Sequence, residues 1–372
     1  MPVVHIGGSP QRRRLTATTV MGISLACSQQ GPADATTTHA LVIESPDAMT
    51  DPNATSRLCV HARDPQEQAS SFGLLQQSYE QLSTGAFSGS FFAISANDIT
   101  VFREALDQSV FQTGVSDTEH ITIAAACELS ERAYWNGRYI DQDSVVAFTP
   151  GREFELRTPT RSVCVGISLE PSVLQSLSPE RPPEYWQKLF TNHDCWSETG
   201  RLKFDLQARI TQLLQQAGAA DAPDDCAADL LDLRELAIDY LCSVFERGQA
   251  GGQKLRIDSY PRIARRARVA MLERLGEPLS VTDLCNELGC SRRSLQYAFE
   301  SIYDLGPVAY LRTLRLAAAR RQLTSGKPGI TVQEVAAAVG FGHLPRFAQE
   351  YARMFGERPS ESLAAHRPHR LS

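Results

Sequence analysis

Apolar residues along this chain follow three patterns. From about Phe72 to Leu169 they come in short or alternating runs: "GSFFAIS", "ITVFREAL", "TEHITIAAA", "RAYWNGRYI", "SVVAFTP" and "SVCVGISLE". Gly, Pro, Asn and Asp punctuate them, as expected of strands and turns. "WNGR" at 135–138 sets an Asn-Gly pair between two strand-like runs, which predicts a hairpin, and "TPGREFEL" adds a Pro-Gly turn. A small β-sandwich or barrel is expected here. From Pro171 the spacing turns helical, with candidates at 201–218 and 225–247. In the latter, Leu230, Leu233, Leu236, Ala237, Tyr240, Leu241 and Val244 form a stripe that suits a domain core and a dimer helix equally. "ERGQAGGQK" (246–254) has linker composition. Residues 1–65 are rich in Thr, Ser, Ala and Pro, lack sustained periodicity, and are expected to be mostly disordered.

The third pattern is a repeat. "SVTDLCNELGCSRRSLQYAFESIYDLGP" (280–307) resembles "TVQEVAAAVGFGHLPRFAQEYARMFGERP" (331–359). Val281 answers to Val332, Leu284 to Val335, Cys285 to Ala336 and Gly289 to Gly340, all 51 apart. Leu295 answers to Phe347, Phe299 to Tyr351 and Pro307 to Pro359, all 52 apart. Each unit reads as an amphipathic helix, a turn at glycine and a second helix, that is, a helix-turn-helix. Small residues at 285 and 336 let the two helices cross closely, and Ser291 suits an N-cap. Leu295 and Phe299, like Phe347, Tyr351 and Phe355, are expected in the core. The opposite faces show Arg292, Arg293, Gln296, Tyr297 and Glu300 in the first unit, and His343, Arg346, Gln349, Glu350 and Arg353 in the second. Arginine can pair bidentately with guanine and glutamine with adenine, so these faces are candidate major-groove readers. A phosphate contact is an equally good reading of any single arginine. Between the units, Pro307 opens a helix with Leu311, Leu314 and Ala318 inward, and Arg312, Arg315, Arg320 and Arg321 are expected outward. At ~17 residues it spans about 25 Å, which would set the two reading helices roughly one duplex turn, ~34 Å, apart.

Charge sharpens this division. The 372 residues carry a net charge of −6. Residues 253–372 hold 19 Lys+Arg against 11 Asp+Glu, giving +8, while residues 1–252 come to −14. A basic terminal domain on an acidic body points to a polyanionic partner. Nine scattered cysteines without a CxxC pair predict reduced thiols and neither a zinc site nor disulfides. No run of ~18 apolar residues predicts a membrane span. The arginines at 12–14 before "GISLAC" mimic a lipoprotein leader, but Ser24 stands where a bulky aliphatic is wanted, so a cytoplasmic location is expected.

The stretches "VTDLCNELGCSRRSLQYAF", "PVAYLRTLRLAAARRQL" and "VQEVAAAVGFGHLPRFAQEYARMFGERPS" resemble the DNA-binding domain of AraC/XylS-type transcription regulators over the last ~110 residues. The resemblance implies seven helices, two helix-turn-helix units, and Arg293, Tyr297, Arg346 and Gln349 as base contacts. It departs from the family at "DLGP", where Asp304 and Gly306 stand at the usual Gly and Ser positions, and at Tyr351, where Phe is common. "YWNGRYIDQDSVVAFTPGREFEL" is similar to the family's effector domains, nearest to ethanolamine-utilisation activators and XylS-type regulators, which implies a cupin-like sensor fold.

An α+β protein is therefore expected: an N-terminal extension over 1–65, a cupin-like effector-sensing and dimerisation domain over 66–250, and an all-α double helix-turn-helix domain over 255–372. Phe92, Phe102, Arg103, Tyr134 and Trp135 are candidate pocket residues, with Arg103 meeting a carboxylate. Each is also an ordinary strand or surface residue. His120 lacks a His-x-His companion, so no metal and no cofactor is expected. The chain is expected to be a regulator, most simply an activator of a catabolic or metabolic operon. Its expected partners are promoter DNA, RNA polymerase, an unidentified small molecule and a second copy of itself. A nonspecific nucleic-acid-binding protein is the alternative. An enzyme with a DNA-targeting tail is less favoured, because no G-x-S-x-G, HExxH or P-loop motif is present.

Overall fold

The computed structural model describes residues 41–43, 56–96, 99–177, 179–182, 185–186, 194–197, 201–217, 229–233, 235–239 and 259–366. The linker segment at 246–254 and most of residues 1–55 lie outside them.

The N-terminal part is built on two antiparallel sheets. The larger takes its strands in the order β1 (Leu41–Ile43), β2 (Ser56–Ala62), β4 (Gly89–Ala96), β5 (Ile99–Leu106), β12 (Ser162–Leu169), β7 (Ile121–Leu129), β10 (Ser144–Phe148) and β13 (Cys195–Ser197). The smaller runs β3 (Leu75–Gln81), β6 (Val110–Ser116), β11 (Glu153–Thr158), β8 (Ala133–Trp135) and β9 (Arg138–Ile140). The predicted hairpin joins β8 to β9, with Asn136 and Gly137 both at positive φ (42° and 97°), as a tight two-residue turn requires. The expectation of disorder through residue 65 is corrected at its end. Ser56–Ala62 pairs along its length with β4, and Pro65–Ala69 is a short helix, α1, capped by Asp64. "SRLCVHA" mixes charge with apolar residues because its outer positions meet water, which hid its alternation.

The larger sheet is covered on both faces. On one, Val101, Ile123, Val165 and Ile167 pack with Leu206, Ile210, Leu213 and Leu214 of helix α3 (Arg201–Ala217), which follows α2 (Pro171–Leu177). Leu230, Leu233 and Ala237 join this cluster, so the described part of the 225–247 stripe is domain core; Tyr240, Leu241 and Val244 lie outside the described residues. On the other face, Phe91, Phe102, Ala124 and Phe148 meet Trp135 and Phe154 of the smaller sheet.

The smaller sheet's outer face packs on the C-terminal helices. These are α4 (Ser259–Glu273), α5 (Val281–Leu288), α6 (Arg292–Tyr303), α7 (Pro307–Leu323), α8 (Val332–Ala338), α9 (Leu344–Phe355) and α10 (Pro359–Ala365). Among the described residues these seven helices match the expected number. Leu82, Phe111 and Tyr134 share one core with α4, α5, α6 and the start of α7. The second unit has its own core, in which Phe347 and Tyr351 are fully buried, as the repeat predicted. Burial of each such ring is worth roughly 1.5–3 kcal/mol. Among the described residues no helix is long and apolar enough to cross a membrane.

Candidate nucleic-acid interface and internal cavity

Local chemistry fixes both helix-turn-helix units. Helix α5 opens on a capping box, with Ser280 accepting from the Asp283 amide and Asp283 accepting from Ser280; Thr331 and Glu334 repeat the device at α8. The S-x-x-D and T-x-x-E spacings that signal it are legible, though sequence reasoning passed over them. The turn glycines Gly289 and Gly340 adopt φ of 64° and 83°, where a Cβ is disfavoured. At the family departure, Asp304 itself takes the left-handed conformation (φ 56°) and ends α6, and Gly306 opens α7 without a side-chain cap. The "DLGP" turn thus keeps its geometry with a residue that tolerates that region.

The candidate readers sit on α6 and α9, away from the cores. Arg293 stacks on the half-exposed Tyr297 ring at 5.3 Å and donates to its hydroxyl at 3.2 Å. Arg292 donates to Thr282 at 2.6 Å, and Gln296 to Glu300 at 2.6 Å. In the second unit, His343 is the N-cap, its Nδ1 accepting from the Arg346 amide at 3.2 Å. Arg346 pairs with Glu350 at 2.9 Å while 62% of its side chain stays exposed, and Gln349 and Arg353 are exposed. Arg312 reaches Glu350 from α7 at 3.3 Å, so the connecting helix steadies the second reading helix directly.

The arginines of α7 were expected outward as a group, and this is corrected. Arg315 donates to the carbonyls of Leu275 and Glu277 at 2.8 and 2.6 Å. Arg320, 13% exposed, bridges Asp64 at 2.6 Å and Glu357 at 2.7 Å. The acidic body supplies further partners: Glu80 pairs with Arg268 at 2.5 Å and Glu155 with Arg265 at 2.8 Å. Part of the charge asymmetry is therefore answered within the chain.

Between the two sheets lies a cavity of about 70 Å³. Of the five candidate pocket residues, Phe102 lines it. Phe92 and Arg103 pair with each other on the opposite face of their strands. Trp135 belongs to the inter-sheet core, and Tyr134 faces the C-terminal helices. The residue that sequence reasoning missed is Glu104, next to Arg103 on β5 but facing inward. It accepts from the Tyr79 hydroxyl and the Gln68 amide, each at 2.9 Å. Burial pushes its carboxyl pKa up, against the lowering effect of these two bonds. Alternation along "VFREAL" places Phe102 and Glu104 on one face and Arg103 on the other, but it leaves open which face is inside. His120 is held by Asp117 at 2.8 Å.

A chain ending in two capped helix-turn-helix units with exposed Arg/Gln faces carries a DNA-binding domain by its architecture. A family model described as a helix-turn-helix domain matches residues 284–365. The chain is 39% identical over 88 residues to "Probable thc operon regulatory protein" of Rhodococcus erythropolis, covering 23% of this chain and 26% of that one. It is 35% identical over 96 residues to "XylDLEGF operon transcriptional activator 2" of Pseudomonas putida, covering 26% of this chain and 61% of that one. A solved structure of a probable AraC family transcriptional regulator from Rhodopseudomonas palustris aligns at 32% identity and TM-score 0.28, over 29% of this chain and 99% of its own. This C-terminal domain is similar to the DNA-binding domains of AraC/XylS-type regulators. The matches span less than two thirds of the length of both of these curated relatives.

Proposed function

We propose that this protein is a sequence-specific DNA-binding transcription regulator, without enzymatic activity, that activates an operon in response to a small molecule. The observation that carries this reading is the pair of helix-turn-helix units, each presenting a separate set of exposed arginine and glutamine side chains. Arg293, Tyr297, Arg346 and Gln349 are the proposed base contacts. Arg292, Gln296, His343 and Arg353 line the same faces, where phosphate contacts position the protein. The relatives named as operon regulators support the direction of the reading.

In this proposal residues 66–250 are a cupin-like effector-sensing domain and residues 255–372 the DNA-binding domain. The protein works in the cytoplasm, as a homodimer, and recruits RNA polymerase. A ligand alters promoter engagement only by binding one arrangement of the two domains better than another. Selection from a random duplex library with the full chain at physiological salt tests the reading. Enrichment of one asymmetric site with two contact blocks about a helical turn apart is the expected result. Binding without enrichment favours the alternative, a nonspecific nucleic-acid-binding protein.

A further inference from the structure

We propose that the inter-sheet cavity binds a small organic cation, a protonated amine, with Glu104 as its counter-ion. The proposal rests on reading the N-terminal domain as effector-sensing and names the chemistry of what it senses. It reverses the polarity expected from Arg103, which would have selected a carboxylate.

The lining sets the sign. Among the described residues lining the cavity there is no Lys, Arg or His, and Glu104 is the one carboxylic acid. The carboxyl is buried and accepts two hydrogen bonds from neutral groups, Tyr79 and Gln68. Neutral donors compensate a buried carboxylate only in part, which is why burial raises its pKa. An ammonium group beside it would supply both the missing charge and strong donors. An anionic ligand would face an acid with no cation among the described lining residues to balance it.

The walls agree with that sign. Phe72, Phe91 and Phe102 line the same cavity as a cluster, with ring centroids 4.6–5.7 Å apart. Aromatic rings attract cations through their quadrupole, most strongly where water is excluded. Phe91 and Glu104 are direct cross-strand partners, so ring and carboxyl stand side by side.

A second observation independently points to a ligand. Three lining side chains carry buried polar atoms without a hydrogen-bond partner: Gln77 Oε1, Gln112 Nε2 and Thr158 Oγ1. Gln112 is 2% exposed and sits directly opposite Tyr79. Orphaned polar atoms at one cavity are costly unless something bonds to them. Gln77 Oε1 accepts, as an ammonium requires, and Gln112 Nε2 donates to one neutral oxygen of ligand or water. The volume limits the ligand to a few heavy atoms, since an apolar cavity of about 150 Å³ holds benzene.

The experiment uses the full chain and three matched probes: n-propylammonium, 1-propanol and propionate. Calorimetric titration and thermal unfolding are followed at fixed pH and ionic strength, without DNA. The expected result is binding of n-propylammonium at least tenfold tighter than 1-propanol, with no propionate binding. Glu104→Gln should remove that preference while Arg103→Ala leaves it intact. The Gln variant keeps the side chain's shape, and its unliganded unfolding and circular dichroism show that it folds. Propionate binding equal to or tighter than n-propylammonium overturns the proposal, as does an unchanged preference in Glu104→Gln, or no binding of n-propylammonium up to ~100 mM. Because no arm involves DNA, these outcomes are separate from success or failure of the duplex selection.

Discussion

Replacing Glu80 with alanine probes the contact that ties the two domains together. The Glu80 carboxylate takes Arg268 Nη2 at 2.5 Å and the Tyr310 hydroxyl at 2.8 Å, and Arg268 Nε also donates to Tyr310 at 2.9 Å. The side chains of Glu80 and Arg268 are 7% and 17% exposed, so solvent screening is small. Removing one partner of such a pair leaves a guanidinium stranded, at a cost of about 3–5 kcal/mol. Replacing both at once, as Glu80→Leu with Arg268→Met, removes the charge together with its partner and should cost far less than the two single changes summed. Urea unfolding of the parent, Glu80→Leu, Arg268→Met and the double variant gives the coupling energy, expected to be at least ~2 kcal/mol. Hydrogen exchange locates the effect: in Glu80→Ala, protection should fall over 259–273 and 307–323 before it falls over 99–106. Single-variant costs that add to within ~0.5 kcal/mol would refute the reasoning, because independent side chains do not hold two domains in register.

Other expectations follow from the same geometry. Arg346→Ala should weaken a selected site by ~1–3 kcal/mol and relax one base position; an equal loss on every sequence would make it a phosphate contact. Thr331→Ala should cost ~1 kcal/mol in thermal unfolding by removing the cap of α8, and the Ser280 box should be unaffected. Glu104 titrates above its unfolded value, so its contribution to stability is fully present below the unfolded pKa and is lost as pH rises through the folded one. Glu104→Gln should therefore gain stability relative to the parent across that window and hold a constant difference above it, as urea midpoints over a pH series will show.

The C-terminal domain was legible because its determinants are local. Helix periodicity, turn glycines and caps act within about 25 residues, and the 51- and 52-residue offsets showed the pattern twice. The β-domain was legible as strands and a hairpin, but not as faces. Its larger sheet is covered on both sides, so alternation along "ITVFREAL" separates Phe102 from Arg103 without saying which points inward. Pairings across long sequence separations were out of reach. Arg268 meets a carboxylate 188 residues away and Arg320 one 256 residues away. In sequence both resemble solvated positive charge, and only the packed domains show them to be tethers.

The smaller sheet makes the cavity and the DNA-binding domain neighbours. Direct cross-strand pairing runs Tyr79, Gln112, Leu156 and Trp135 along one row of β3, β6, β11 and β8. The adjacent row on the same strands runs Glu80, Phe111, Arg157 and Tyr134. Successive residues of a strand point to opposite faces and lie only about 3.3 Å apart along it. The row that begins at Tyr79 accordingly faces the cavity, where Tyr79 holds Glu104 and Gln112 carries the orphaned amide. The row that begins at Glu80 faces the helices, where Glu80 holds Arg268, Phe111 packs edge-on against Tyr303 at 4.8 Å, and the buried Arg157 lies in the field of Asp304. Gln81, the next residue of β3, donates to the carbonyl of Met354 at 2.9 Å on the second reading helix. Three consecutive residues thus touch the cavity acid, the helices α4 and α7 that flank the first helix-turn-helix unit, and the second unit. A ligand that draws Glu104 away from Tyr79 would act one residue from the Glu80 contact and two from the Gln81 contact, so no long relay of side chains is needed for the cavity to bias how the helices of the second domain are held.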